Sequence, residues 1–307
     1  MLAAVAALVL TACSSLLTDY RAEAERLEKE ISAMPGVQSV DVAYVSDFFL
    51  GDHYFRLGAH LPDATEPQIS DVINRIKELL RNFGGLRDRS IELVVGDRAR
   101  VGTTKYFEVA PFLDAIRNVR QYTASVPDGG IFWDVRPTPA ISVSDGKTST
   151  AEPLAAIRAM IGATTAAHVS IETTEHGQWS VDLPLSAERE AELRRQLSEI
   201  PLATMMVVIE DSYVSELSVR NRVPSTFDPD LAYDQLADTV KKLGPTTDHP
   251  LRLRWTWLFF YTDGKANEGF VHAAGCDYSI PTVFDDALSG PALTVQRRMR
   301  DEFDTCQ

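Results

Sequence analysis

The chain has 307 residues, 45% hydrophobic and 24% charged, which is enough for about two or three domains and too polar to span a membrane in bulk. Lysine and arginine total 30 against 44 aspartates and glutamates, a net charge of −14. That balance gives the wrong sign for counterion-release binding of nucleic acid and for electrostatic docking on anionic lipid.

The chain opens on a nine-residue apolar run, Leu2 to Leu10, far short of the ~20 residues that cross a bilayer but long enough for the apolar core of a signal peptide. Leu10-Thr11-Ala12-Cys13 then gives an apolar residue, two small residues and a cysteine, followed by Ser14-Ser15. This resembles the lipobox of bacterial lipoproteins, and the 23 arginines against 7 lysines fit a high-GC coding bias such as the actinobacterial one. The resemblance implies a signal peptide over 1–13, diacylglyceryl transfer to the Cys13 thiol, cleavage before Cys13 and acylation of the new amino group, the chains being of palmitate type. It places the protein at the extracytoplasmic face of the cell membrane, with the membrane itself as a partner through the anchor. One acyl chain holds marginally and two hold stably. No lysine or arginine precedes Arg21, so the pattern lacks a basic leader: either the start lies upstream of Met1 or the segment is not a signal. The alternative is a cytosolic chain with an apolar N-terminal helix packed on its own domain.

With Cys13 lipidated, Cys276 and Cys306 remain, the number for one disulfide in an exported chain. It would pin the C-terminal helix to the body; the alternative is two separate thiols. Helix signals begin near Thr18, about five residues after Cys13, so the tether is under about 18 Å fully extended.

Residues 18–33 read as a helix stopped by Pro35-Gly36. A strand over 37–45 carries Val40, Val42 and Tyr44 on alternate positions, and a second covers 53–61. Thr65-x-x-Gln68 is a capping-box signal for a helix with an Ile69, Ile73, Ile76, Leu80 stripe, ended by Gly84-Gly85; a strand follows at 90–95. Further helices are expected at 107–124, 152–162, 187–199, 228–243 and 283–304. Strands fill 131–136, 139–144, 167–173, 178–183, 204–209, 213–219, 251–260 and 267–273.

The order helix-strand-strand-helix-strand recurs, so the expected fold is α+β. Tandem αββαβ units, ferredoxin-like, would have mixed sheets covered by helices, with a C-terminal helix added. The expected units are 14–105, 106–175 and 176–307. Leu27, Ile31, Ser32, Pro35, Val40 and Val42 match Leu193, Leu197, Ser198, Pro201, Met206 and Val208 at a constant offset of 166, a weak sign of internal duplication. The αββαβ order resembles the BON domain and the ring-building modules of secretion lipoproteins in element order alone.

Catalytic and cofactor motifs are largely missing. Asp145-Gly146-Lys147-Thr148-Ser149 ends like a phosphate loop, yet the required first glycine is Ile141, so Asp145-Gly146 reads as a turn. The histidines at 53, 60, 168, 176, 249 and 272 form no HExxH, and the odd separation of His53 and His60 puts them on opposite strand faces. No serine stands out as a nucleophile. Glu210-Asp211 is expected to splay apart on a strand, and Asp285-Asp286 to favour the first turn of the last helix. Phe48-Phe49, Phe132-Trp133 and the 255–261 aromatics read as core, or as an apolar groove. The expectation is therefore a lipid-anchored binding or scaffolding protein with no catalytic, metal or cofactor site, its partner an envelope protein or cell-wall component. The alternative is an anchored hydrolase whose site assembles from distant residues.

Overall fold

The structure is a computed structural model; it describes residues 20–306 apart from 48–51, 82–87, 105–107, 127, 146–149, 174–176, 223–226, 263–264 and 279–284. Phe48-Phe49, His176 and the 146–149 stretch lie outside the described residues, as does Cys13 with the whole lipobox.

Seven helices are present among the described residues, and their order with the strands is regular. α1 (Arg21–Ser32) leads into β1 (Ser39–Asp47) and β2 (Asp52–His60). α2 (Glu66–Leu80), β3 (Asp88–Gly96) and β4 (Ala99–Thr103) follow, then α3 (Val109–Ser125), β5 (Gly130–Asp134) and β6 (Ala140–Asp145). The second half repeats this with α4 (Ala151–Ile161), β7 (Ala167–Thr173) and β8 (Gly177–Leu183), then α5 (Ala187–Ser198), β9 (Ala203–Glu210) and β10 (Tyr213–Arg220). α6 (Pro229–Leu243), β11 (Leu251–Thr262) and β12 (Lys265–Ala273) precede the terminal α7 (Gly290–Phe303).

The repeating step is therefore αββ, taken six times, and not the longer αββαβ expected from sequence. The difference comes from one strand, β4. It is five residues long, follows a charged turn at Asp97-Arg98, and contains Gly102, a poor strand former. Gly102 is there for space: a Cβ would lie 2.9 Å from the Ile91 carbonyl oxygen and from the Phe132 ring. The 166-residue offset carries Arg21–Ser32 onto Ala187–Ser198, the first helix onto the fifth.

The chain divides into two compact units at Ile141/Ser142, within β6. In unit 1, β1 to β5 pair in chain order; in unit 2, β7 to β12 do the same. Hairpins are antiparallel, and the helix-bridged pairs β2/β3, β4/β5, β8/β9 and β10/β11 are parallel. Side chains alternate along each strand, so one sheet face is buried. That face carries Phe55, Leu57, Ile91, Leu93, Val101 and Trp133 in unit 1, and Val181, Ile209, Leu217, Leu253 and Trp255 in unit 2.

Helices cover that face and leave the other open. α2 packs on α3 in unit 1, and α5 packs on α6 in unit 2, so the crossovers of each unit share a side. Yet the chain reverses direction at every hairpin while strand order keeps advancing the same way. Two crossovers on one face with opposite strand directions have opposite hands. Each unit thus contains one left-handed crossover, against the strong general preference for right-handed ones.

Local signals hold where capping chemistry is explicit. Gln68 Oε1 accepts the Thr65 backbone N–H at 2.9 Å at the start of α2. Asp228 Oδ1 accepts the backbone N–H groups of Asp230 and Leu231 at 3.0 and 3.2 Å at the start of α6. The last helix is shorter than expected: Ser289 Oγ caps it by accepting from Ala292 N at 3.2 Å. Asp285 and Asp286 lie ahead of it in a 3₁₀ turn, Asp285–Ala287, and not in its first turn.

Candidate functional site

The open face of unit 2 is polar, and strand register determines what meets on it. Successive pairings align Ser170 (β7), Ser180 (β8), Val208 (β9), Glu216 (β10), Arg252 (β11) and His272 (β12) in one row across the sheet. The neighbouring row holds Met206, Ser218, Arg254 and Phe270. Arg254 pairs with Glu216 at 3.2 Å and lies over the Phe270 ring. Unit 1 carries a similar ladder on its own open face, where Glu92 sits 3.9 Å from Arg56 and 3.4 Å from Arg100.

Two arrangements stand out. In the first, His168 and Asp182 face each other across β7/β8, and His168 Nδ1 lies 2.7 Å from Asp182 Oδ1. Ser180 Oγ lies 3.0 Å from His168 Nε2, which completes a serine–histidine–aspartate chain. Sequence reading singled out no serine, because the three residues span fifteen positions and meet only through hairpin register. Their surroundings limit their chemistry. His168 and Asp182 side chains are 43% and 50% exposed, so water competes for every bond. β8 is paired on both edges, antiparallel to β7 and parallel to β9, so its backbone N–H groups serve the ladder and form no oxyanion hole.

The second is a cleft of about 210 Å³ at the end of the same face. Its walls include Glu210, Asp211, Glu216, Asp248, Arg252 and His272. Glu210 and Asp211 were expected to point apart on a strand. Instead β9 ends at Glu210 and Asp211 lies in the following turn at φ 49°, so both residues line one cleft. The Tyr213 and His249 rings stack at 3.7 Å as one wall.

The C-terminal segment builds the other wall. Cys276 and Cys306 are disulfide-bonded, with Cα atoms 5.0 Å apart. Around them Ala274 N donates to Phe303 O at 2.7 Å and Thr305 N to Gly275 O at 3.0 Å. The strap so formed presents Asp277, whose N–H donates to His272 Nδ1 at 2.7 Å and whose carboxylate pairs with Arg252 at 3.2 Å. Tyr278 Oη donates to Asp304 at 3.0 Å, and its ring packs edge-on against Phe270 at 5.7 Å. With Nδ1 used as an acceptor, neutral His272 carries its proton on Nε2. Burial, with the Arg252 guanidinium beside it, pushes His272 below the usual imidazole range, while Asp277 and Asp304 pull the other way.

Of the remaining residues named from sequence, His60 meets Gln38 at 2.7 Å, and Trp133, Trp255 and Trp257 are core. No group of three metal-ligating side chains occurs among the described residues, and no helix among them is long and apolar enough to cross a membrane. No known protein family, curated protein or solved structure matches the chain.

Proposed function

We propose that the chain is a lipid-anchored protein of the extracytoplasmic face of the cell membrane, held by acyl chains on Cys13, whose body binds or scaffolds an envelope protein or cell-wall component without catalysing a reaction. The observation that carries this reading is the Cys276–Cys306 pair. A disulfide belongs to an oxidising compartment, and the third cysteine of the sequence is Cys13, at the lipobox. The open polar sheet faces supply a surface for a partner. Kinship with αββαβ envelope modules such as the BON domain belongs to the same reading, because five consecutive elements counted from any of α1 to α5 give that order. Metabolic labelling with an alkyne fatty acid tests the anchor: the wild-type chain takes label and Cys13→Ala takes none.

A second reading, an anchored hydrolase, draws on the Ser180–His168–Asp182 chain. Its exposure and the absence of free strand N–H donors beside Ser180 place it behind the binding reading.

A further inference from the structure

We propose that the cleft of unit 2 binds a small zwitterion of the amino-acid or short-peptide class, its carboxylate on Arg252 and His272 and its ammonium toward Glu210, Asp211 and Asp248, with the donor end assembled by the Cys276–Cys306 strap. The proposal deepens the binding reading of unit 2 and is independent of the anchor.

The donor end rests on His272. The residue is 6% exposed, and its one ring bond is the one Nδ1 accepts from Asp277 N. No hydrogen bond to its Nε2 occurs among the described residues, and His272 is one of the residues that line the cleft. An acceptor that reaches this ring nitrogen gains a hydrogen bond without displacing a protein partner. Arg252 lies directly opposite His272 in the β11/β12 register, and its guanidinium gives one ion pair, to Asp277, leaving donors for a bidentate carboxylate.

The acceptor end lies toward the ends of β9 and β11. Glu210, Asp211 and Asp248 line the cleft and their carboxylates have no hydrogen bond or ion pair among the described residues, whereas Glu216 is already paired with Arg254. A simple anion entering the cleft meets those three carboxylates, and a simple cation meets Arg252. A ligand carrying both charges satisfies both ends. Glu210 on β9 and Arg252 on β11 are two strand spacings apart, about 9.6 Å, so the two charges lie within reach of one small ligand.

The strap sets the donor end because one residue, Asp277, touches both donors. Its N–H fixes the His272 tautomer and its carboxylate orients Arg252, and Asp277 adjoins the disulfide at Cys276. Reduction frees the strap and blurs both.

The test is a titration of the full chain with glycylglycine, followed by NMR of the His272 ring and Arg252 side-chain signals. Two matched probes each remove one charge: N-acetylglycylglycine and glycylglycinamide. The expected result is saturable binding of glycylglycine, with either blocked probe at least about tenfold weaker. The exposed double substitution Glu210→Gln and Asp248→Asn, which leaves the core untouched, weakens glycylglycine to the level of the N-acetyl probe. Reduction with dithiothreitol weakens binding while far-UV circular dichroism is unchanged. Equal affinity for all three probes, or no binding of any, overturns the proposal. Binding indifferent to reduction overturns the role of the strap. Loss of the cleft with intact fatty-acid labelling of Cys13 leaves the anchored reading in place, so the two fail separately.

Discussion

Nδ1 of His272 accepts the backbone N–H of Asp277 at 2.7 Å, one residue from the cysteine that ties the C-terminus to the sheet. This bond joins the strap to the cleft, and it has a pH signature. The folded chain holds His272 neutral below its ordinary range, whereas an unfolded histidine protonates near 6.5. A depressed folded value means stability that is complete above about 6.5 and is lost as pH falls through that value toward the folded one. The groups facing the ring are Arg252 from β11, Asp277 and Asp304 from the strap and tail, and across the cleft Glu210, Asp211, Glu216, Asp248 and His249. Urea unfolding at about pH 7.5 and about pH 5.5, either side of that value, should show a larger loss for wild type than for His272→Gln. Equal losses would show that His272 does not contribute.

The disulfide closes a segment of sequence separation 30. Loop-closure entropy gives about 3–4 kcal/mol for a loop of that length. Cys306→Ala should lower unfolding free energy by about that amount, read by urea denaturation, with dithiothreitol having no further effect on the variant. The wild-type chain should yield one oxidised 276–306 peptide pair by mass spectrometry without reduction.

Glu190 is the most deeply placed carboxylate of an ion-pair network in unit 2. Its side chain is 5% exposed and meets Arg158 at 2.5 Å and Arg194 at 2.6 Å. Arg194 in turn lies 4.2 Å over the Trp179 ring and donates to Thr150 Oγ1 at 2.8 Å. Glu190→Gln leaves two guanidinium groups facing each other and should cost about 3 kcal/mol or more in urea unfolding.

Gly269 stands opposite Trp255 across β11/β12, and a Cβ there would lie 2.2 Å from the indole. Backbone and a fully buried tryptophan cannot both give way, so Gly269→Ala should destabilise by about 2 kcal/mol and shift the near-UV tryptophan signal. An alanine variant as stable as wild type, with an unchanged signal, would contradict the packing described.

For Ser180 the binding reading expects no reaction. A fluorophosphonate probe should leave the folded chain unlabelled. Labelling that disappears in both Ser180→Ala and His168→Gln would promote the hydrolase reading above the binding one.

Much of the fold is legible in the sequence because its strands alternate cleanly. Trp179, Val181 and Leu183 fall on one face as read, and so do Leu251, Leu253, Trp255 and Trp257. What hid the αββ period was Ala99–Thr103, where a glycine needed for space beside Phe132 and an exposed arginine at position 100 leave too little apolar alternation to mark a strand. The site was less legible. Glu210 and Asp211 converge because the chain turns between them, and Arg252 meets His272 through a register twenty residues apart. Ser180, His168 and Asp182 meet for the same reason. Pairing register is tertiary information, and no local pattern encodes it. The Cys276–Cys306 pair was reachable from cysteine arithmetic alone, given a lipidated Cys13.

Residence at the membrane through Cys13 is the central claim. Cell fractionation of the wild-type protein against Cys13→Ala tests this most directly. Wild type is expected in the membrane fraction, resistant to high salt and released by detergent, with the alanine variant absent from that fraction. Wild type and variant both recovered in the soluble fraction would contradict it.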